Sequence, residues 1–381
     1  MTKLSLVALL AISSAMAGGN IAPVVAPIVV APVVKVKACN SNTTINSKAT
    51  AYYMTSDIAP NKMFDKKNSQ LGTAVTLDAS HKFFDGLSAN FSAVGFSNGI
   101  STGTYMEGAK TGAFFNVANI TANFADTTVI LGRQLIDSPM FGGFDWLLAP
   151  GAFNGYTLVN NSISNLTLVG TYVDRRRKNN SGVNFDKLAG SNYAFGAVYA
   201  NENLFDASVW YYNVDAGANG GYKQVYADLG VSFSGAKVQG QYVTTNYANS
   251  TAADASAYGV KASYSIDSVG LYGAFAQIAK NSTGFIGVDS IYTSSWNTFA
   301  SSVYKASDAT TWKVGATADV YGISSELSYA KYGKNGSELD VILGYDATKT
   351  INLGLVYSST KANAANSTAT NALEFVTTYK F

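Results

Sequence analysis

The sequence predicts an all-β fold: a transmembrane, antiparallel, up-and-down β-barrel of about 18 strands, with 16 as the alternative count. Three observations carry this. Apolar and polar residues alternate at period 2 along most of the chain after residue 48. The connections between the alternating segments are short and long in turn. None of the 6 prolines falls inside an alternating segment, as expected because proline cannot donate to a sheet ladder. Composition agrees, with 13% charged and 13% aromatic residues, 35 glycines, and no mature run of the roughly 20 apolar residues that a spanning helix needs.

Taken from the start, residues 1–17 read as a cleaved signal peptide. Lys3 supplies the positive end, Leu4 to Ile12 the apolar core and Ala15-Met16-Ala17 the cleavage site. Residues 18–47 form a Pro/Val-rich extension placed on the periplasmic side, extended in backbone because proline repeats. Cys39 is the sole cysteine, so an intrachain disulfide is excluded. Residues 48–381 are the barrel.

The last strands are the clearest. Leu373, Phe375, Thr377, Tyr379 and Phe381 share one face, and Glu374, Val376, Thr378 and Lys380 the other. Leu353 and Leu355 alternate with Asn352 and Gly354, and Val225, Ala227 and Leu229 with Tyr226, Asp228 and Gly230. Alternating segments run from 49–55 to 370–381. Short turns such as Ala125-Asp126, Ser234-Gly235 and Tyr321-Gly322 alternate with long loops at 56–69, 98–111, 135–152, 174–191, 245–256, 279–310 and 359–369. A soluble sandwich would share the alternation but has no reason to sort loop length by parity. An even strand number returns both barrel ends to the periplasmic side, and closure satisfies every backbone polar group in lipid.

The terminal Tyr379-Lys-Phe381 resembles the C-terminal assembly signal of outer-membrane barrels. Leu131-Gly-Arg-Gln134, then Asp137-Ser-Pro139, Asp145-Trp146, Pro150 and Phe153, together with Tyr292-Thr-Ser-Ser-Trp296, resemble the OprD-like porins, most closely the major porins of epsilonproteobacteria. The resemblance implies an 18-stranded barrel, often a homotrimer, with its third loop folded into the lumen. It also implies delivery by the barrel assembly machinery into the bacterial outer membrane, among lipid and lipopolysaccharide. No cofactor is expected; the resemblance leaves room for Ca²⁺, although no spaced loop motif for it is present.

The loop at 135–152 carries Met140, Phe141, Phe144, Trp146 and Leu147, too apolar for a wholly extracellular loop. Arg133, Asp137 and Asp145 are therefore the expected constriction, with Arg133 facing the acids across a narrow wet gap. Alternation turns Asp228, Lys237, Lys261, Lys313, Glu326 and Asp340 toward the lumen, where charge is cheap. Arg175-Arg-Arg-Lys178 reads as a solvated or lipopolysaccharide-facing rim cluster, and less readily as an anion-steering patch.

With 1 histidine, His81, placed at a periplasmic turn, and 1 cysteine, the chain lacks the base of a barrel hydrolase and the ligands of a usual zinc site. An enzyme is not expected. A net charge of +2 points to no nucleic-acid partner. The expected function is passive diffusion of small hydrophilic solutes and ions through a water-filled channel. The alternatives are a solute-selective channel of the OprD type and an adhesin or structural barrel.

Overall fold

The computed structural model describes residues 42–99, 111–179, 182–201, 205–303, 309–362 and 368–381. The signal peptide, Cys39 and the extension as far as residue 41 lie outside the described residues.

The strands are β1 (Thr43–Ser56), β2 (Ser69–Phe84), β3 (Leu87–Asn98), β4 (Thr111–Phe124), β5 (Thr127–Gln134) and β6 (Ala152–Ile163). They continue as β7 (Leu166–Arg177), β8 (Asp186–Ala200), β9 (Asp206–Val214), β10 (Tyr222–Phe233), β11 (Ala236–Tyr247) and β12 (Ala255–Ile266). The last six are β13 (Val269–Ala279), β14 (Ala309–Val320), β15 (Ile323–Lys331), β16 (Gly336–Asp346), β17 (Ile351–Ala362) and β18 (Thr370–Lys380). Each strand pairs antiparallel with its sequence neighbours, and β1 pairs β18 in the register Lys48↔Lys380 to Ser56↔Ala372. The sheet is an 18-stranded closed barrel, as the alternation predicts.

Side chains sort by strand phase. Tyr258, Val260, Leu271, Phe275, Leu327 and Phe375 are exposed on the outer wall, where lipid replaces water. Their neighbours Ala257, Ala274, Ala276, Glu326 and Glu374 point inward and are buried. The periplasmic turns are tight. In Ser234-Gly235 both φ angles are positive (45° and 79°), as also in Tyr321-Gly322 (55° and 76°), which matches the twist of a two-residue hairpin and favours glycine second.

Three boundaries differ from the sequence reading, for one reason. β1 begins at Thr43, inside the stretch assigned to the extension. β2 runs to Phe84, which puts His81 in a strand, with its Nδ1 2.8 Å from Thr43 Oγ1. β7 continues to Arg177 and β8 starts at Asp186, so the three arginines of the basic run lie in a strand and not in a loop. Beyond the lipid a strand keeps its ladder but has no apolar face, so alternation stops before the hydrogen bonds do.

Two bulges shape the wall beside the long loop. Ser92 pairs with Val117 and Ala93 with Phe115, leaving Asn116 unpaired and re-aimed. Asn154 pairs with Arg175 and Gly155 with Val173, leaving Asp174 as the extra residue of β7, where Asn154 Nδ2 donates to its Oδ1 at 2.8 Å.

Candidate functional site

The connection from Gln134 to Ala152 turns into the barrel because its apolar residues find cover only there. Met140, Phe141, Leu148 and Ala149 are buried. The first half packs on β9 and its neighbours: the Met140 N–H points to Tyr212 Oη at 3.4 Å, and the Phe141 and Phe153 rings meet edge to face at 5.1 Å. The second half lies on the opposite wall, where Leu148 and Ala149 pack with Tyr52, Ala74, Val94, Phe96 and Phe114. The loop also closes on itself through Gly143 N–H to Ile136 O (2.8 Å) and Gly151 N–H to Phe144 O (3.1 Å). A Cβ on Gly143 would stand 2.1 Å from Gly151 O, so only glycine fits this crossing.

A second long connection, from Ala279 toward Ala309, enters the same lumen. The two loops meet as a short parallel ladder: Gly142 N–H donates to Ile286 O and Ile286 N–H to Met140 O, each at 2.9 Å. Phe144 then packs edge to face with Trp296 (6.4 Å) and Phe299 (6.1 Å). Non-regular backbone in a membrane protein survives only where its polar groups are paired or wetted, and here the wall supplies the partners. Gln241 accepts from Tyr292 N–H (2.7 Å) and donates to Ser290 O (2.9 Å), while Gln224 donates to Gly284 O (2.6 Å). Glu338 accepts from Asn297 N–H at 2.6 Å, and Tyr332 Oη donates to Thr293 O at 3.1 Å. Within the loop, Asp289 accepts from Ile291 N–H (3.1 Å) and Ser301 N–H (2.8 Å), and burial pushes its carboxyl up to about 6.

Arg177 holds the end of the first loop. It is fully buried, donates from Nε to Asn116 Oδ1 (2.9 Å), from Nη1 to Lys178 O (2.9 Å) and from Nη2 to Pro150 O (2.7 Å), and lies 4.3 Å above the Phe114 ring. The bulge at Asn116 aims its amide at this guanidinium. Arg176 is half-buried, 5.7 Å over the Phe153 ring. The rim-cluster reading is corrected accordingly for Arg177, which is structural and inside the wall, while Arg175 is exposed. Nothing in the local sequence distinguishes a buried basic run from a solvated one, because the difference lies in carbonyls brought from 149–150.

Arg133 is a further correction. It shares the phase of Leu131, which is exposed on the outer wall, and pairs with Ala118 opposite. Its Nη1 donates to Phe115 O at 2.9 Å, and its guanidinium stands 4.2 Å over the Phe185 ring. It does not face Asp137 or Asp145. At the extracellular end of β5 an arginine reaches headgroups and solvent, so the outward phase costs little. Asp137 is half-buried at the start of the loop, and Asp145 is exposed between Phe144 and Trp146.

Asp228, Lys237, Lys261, Lys313, Glu326 and Asp340 all stand on the inward phase of their strands. Two of them hold the second loop and do not simply line water. Lys313 Nζ donates to Ser294 O at 2.9 Å, and Asp340 Oδ2 accepts from Trp296 N–H at 3.2 Å. Asp228 accepts from Tyr226 Oη at 2.9 Å, Glu326 accepts from Tyr272 Oη, and Lys261 lies 4.9 Å over the Tyr272 ring. Lys237 pairs with Asp206 at 2.8 Å. Among the described residues no group of three or more His, Cys, Asp or Glu side chains is placed to hold a metal ion. At the chain end, Tyr379 and Phe381 are exposed with rings stacked at 5.5 Å, and Phe381 N–H donates to Ser47 O at 3.0 Å.

The family described as outer membrane porin, OprD family, matches residues 97–358. Among solved structures, the chain is similar to the outer membrane protein opdK of Pseudomonas aeruginosa, with a TM-score of 0.73, 16% identity, and coverage of 89% of this chain and 98% of that one. It is also similar to OccK9 (OpdG) of the same organism, with a TM-score of 0.75, 15% identity and coverage of 89% and 98%. For OccD3 (OpdP), likewise from Pseudomonas aeruginosa, the values are 0.73, 14%, 90% and 91%. No curated protein matches the chain. The structural likenesses carry the fold and the sequence match carries the family: this chain belongs to the OprD family of outer membrane porins.

Proposed function

We propose that this porin passes small hydrophilic solutes and ions by passive diffusion through an eyelet bounded by the loops at 135–152 and 280–303. The observation that carries the reading is the pairing of Phe141 with Ile286 inside the barrel, which sets two loops across the bore at one height. An 18-stranded barrel left empty is wide enough for an aqueous channel, so its cut-off depends on what narrows it. Selection by charge then falls to groups beside the loops. Lys237 and Lys261 are diagonal neighbours on β11 and β12, since Lys237 pairs with Ser263 and Gln239 with Lys261. Four strands further round the ring, Glu326 and Asp340 are diagonal neighbours on β15 and β16, and Lys261 and Glu326 both contact Tyr272 of β13. Adjacent basic and acidic groups on one side of the bore order water there and filter by charge as well as size.

The lysine pair favours a second reading, a channel selective for solutes bearing a carboxylate; opdK has been solved with vanillate, an aromatic carboxylate. Planar-bilayer recordings decide between the two. A general pore shows weak ion selectivity and no block by any one solute, whereas a selective channel shows saturable current block by small carboxylates.

The same reading includes export through the 1–17 signal peptide, a homotrimer in lipopolysaccharide-containing membrane, insertion by the barrel assembly machinery through Tyr379 and Phe381, and affinity with epsilonproteobacterial porins. It includes no catalysis and no cofactor, so chelation of Ca²⁺ should leave conductance unchanged.

A further inference from the structure

Two of the 4 tryptophans, one from each lumenal loop, end on a single carboxylate. Glu374 lies inward on β18, 3% exposed. Its Oε1 accepts from Trp296 Nε1 at 2.8 Å, and its Oε2 accepts from Trp146 Nε1 at 3.0 Å and from Tyr52 Oη. Trp146 Nε1 is also 2.7 Å from Tyr52 Oη, so the tyrosine links the first loop to the same group. Phe144 stands beside both indoles, 6.2 Å from Trp146 and 6.4 Å from Trp296. Ile342 and Val356 pack against Trp296.

An indole N–H is a donor only, and a buried one needs an acceptor. A carboxylate has two oxygens and four lone-pair sites, enough for two indoles and a phenol together. An amide has one accepting oxygen, and its NH₂ would face a donor. From this we infer that Glu374 is a shared latch, a positioning residue that couples the two loops so that they move as one element. The inference rests on the reading of these loops as the eyelet. It goes beyond that reading by making one wall residue answer for both loops.

Hydrogen exchange of the folded, full-length porin in nanodiscs tests the coupling directly, because it reads the loops and not the current. Glu374→Gln should raise exchange about fivefold or more in both 140–148 and 288–300. Trp146→Phe keeps the ring and removes the donor, and should raise exchange in 288–300 as well as in its own segment. In the Glu374→Gln background Trp146→Phe should leave 288–300 unchanged, since the link is already cut. The inference is overturned if each substitution loosens only its own loop, or if the cross-effect of Trp146→Phe persists undiminished in the Glu374→Gln background. Unboiled migration in SDS verifies that each variant is a folded barrel. If Glu374→Gln does not fold, Glu374→Asp, which keeps the charge but withdraws the oxygens by one methylene, should give the same pattern. A loop deletion that left conductance unchanged would remove the eyelet reading without touching these exchange results.

Discussion

Arg177 donates a 2.7 Å hydrogen bond to the carbonyl of Pro150, tying the last turn of the first lumenal loop to the barrel wall. The same guanidinium serves Asn116 and Lys178. Each buried acceptor left unmatched costs about 1–3 kcal/mol. Arg177→Ala should therefore lower the temperature at which unboiled protein shifts in SDS, and should add current noise in bilayers. Arg177→Lys should rescue only in part, because an ammonium cannot reproduce the planar fork. Unchanged heat-modifiability and noise in Arg177→Ala would show that the loop is held elsewhere.

The outer and inner phases predict opposite tolerance to charge. Val260, at the middle of β12, is exposed outward, and Lys261 beside it points inward. Val260→Arg should cost about 2–4 kcal/mol in urea-induced unfolding from lipid vesicles. Lys261→Arg should be close to neutral. Equal destabilisation at both positions would contradict the assigned phase.

Ion selectivity should follow the lumen and not Arg133. Lys261→Ala should move the reversal potential in a salt gradient toward cation preference, and Asp145→Asn toward anion preference. Arg133→Ala should leave it unchanged, because that guanidinium lies on the outer face over Phe185. The lumenal effects should shrink at 1 M salt, where screening falls to about 3 Å. A shift from Arg133→Ala as large as that from Lys261→Ala would return Arg133 to the pore.

Asp289 predicts a pH dependence of the second loop. Its folded carboxyl titrates near 6, above the ordinary 3.8, so protonation is favoured in the folded loop. Its contribution is greatest below the ordinary value, declines as pH rises from 3.8 to 6, and is level above that. Acidification from pH 7 to 5 should therefore tighten 288–303 in hydrogen exchange, after correction for intrinsic rates. Asp289→Asn should abolish that slope while loosening the loop, since Ile291 and Ser301 donate to different carboxylate oxygens and the amide NH₂ would face one of those donors. A slope of the same sign in Asp289→Asn would assign it to another group.

The barrel was legible because membrane strands must declare two faces. Leu373 to Phe381, Val225 to Leu229 and the short turns place their strands from period and parity alone. The site was legible in part. Apolar residues at 140–147 announced an inward loop, and Asp228, Lys237 and Lys261 followed from alternation. Arg133 misled because its inward placement put the charge ahead of its phase-mates Val129 and Leu131. Arg177 and Glu374 acquire their roles only from partners 27 and 228 residues away, a relation that no local pattern carries. Lys313 and Asp340 likewise look like ordinary lumen charges until a folded loop lies against them.

On the proposed function, the paired loops set the size of the pore. Single-channel conductance of a variant lacking 142–147, compared with the unaltered porin in the same bilayer and salt, tests it most directly. The expected result is a larger unitary conductance, together with passage of sugars that the unaltered channel rejects. A folded variant with unchanged conductance and unchanged size cut-off would contradict it.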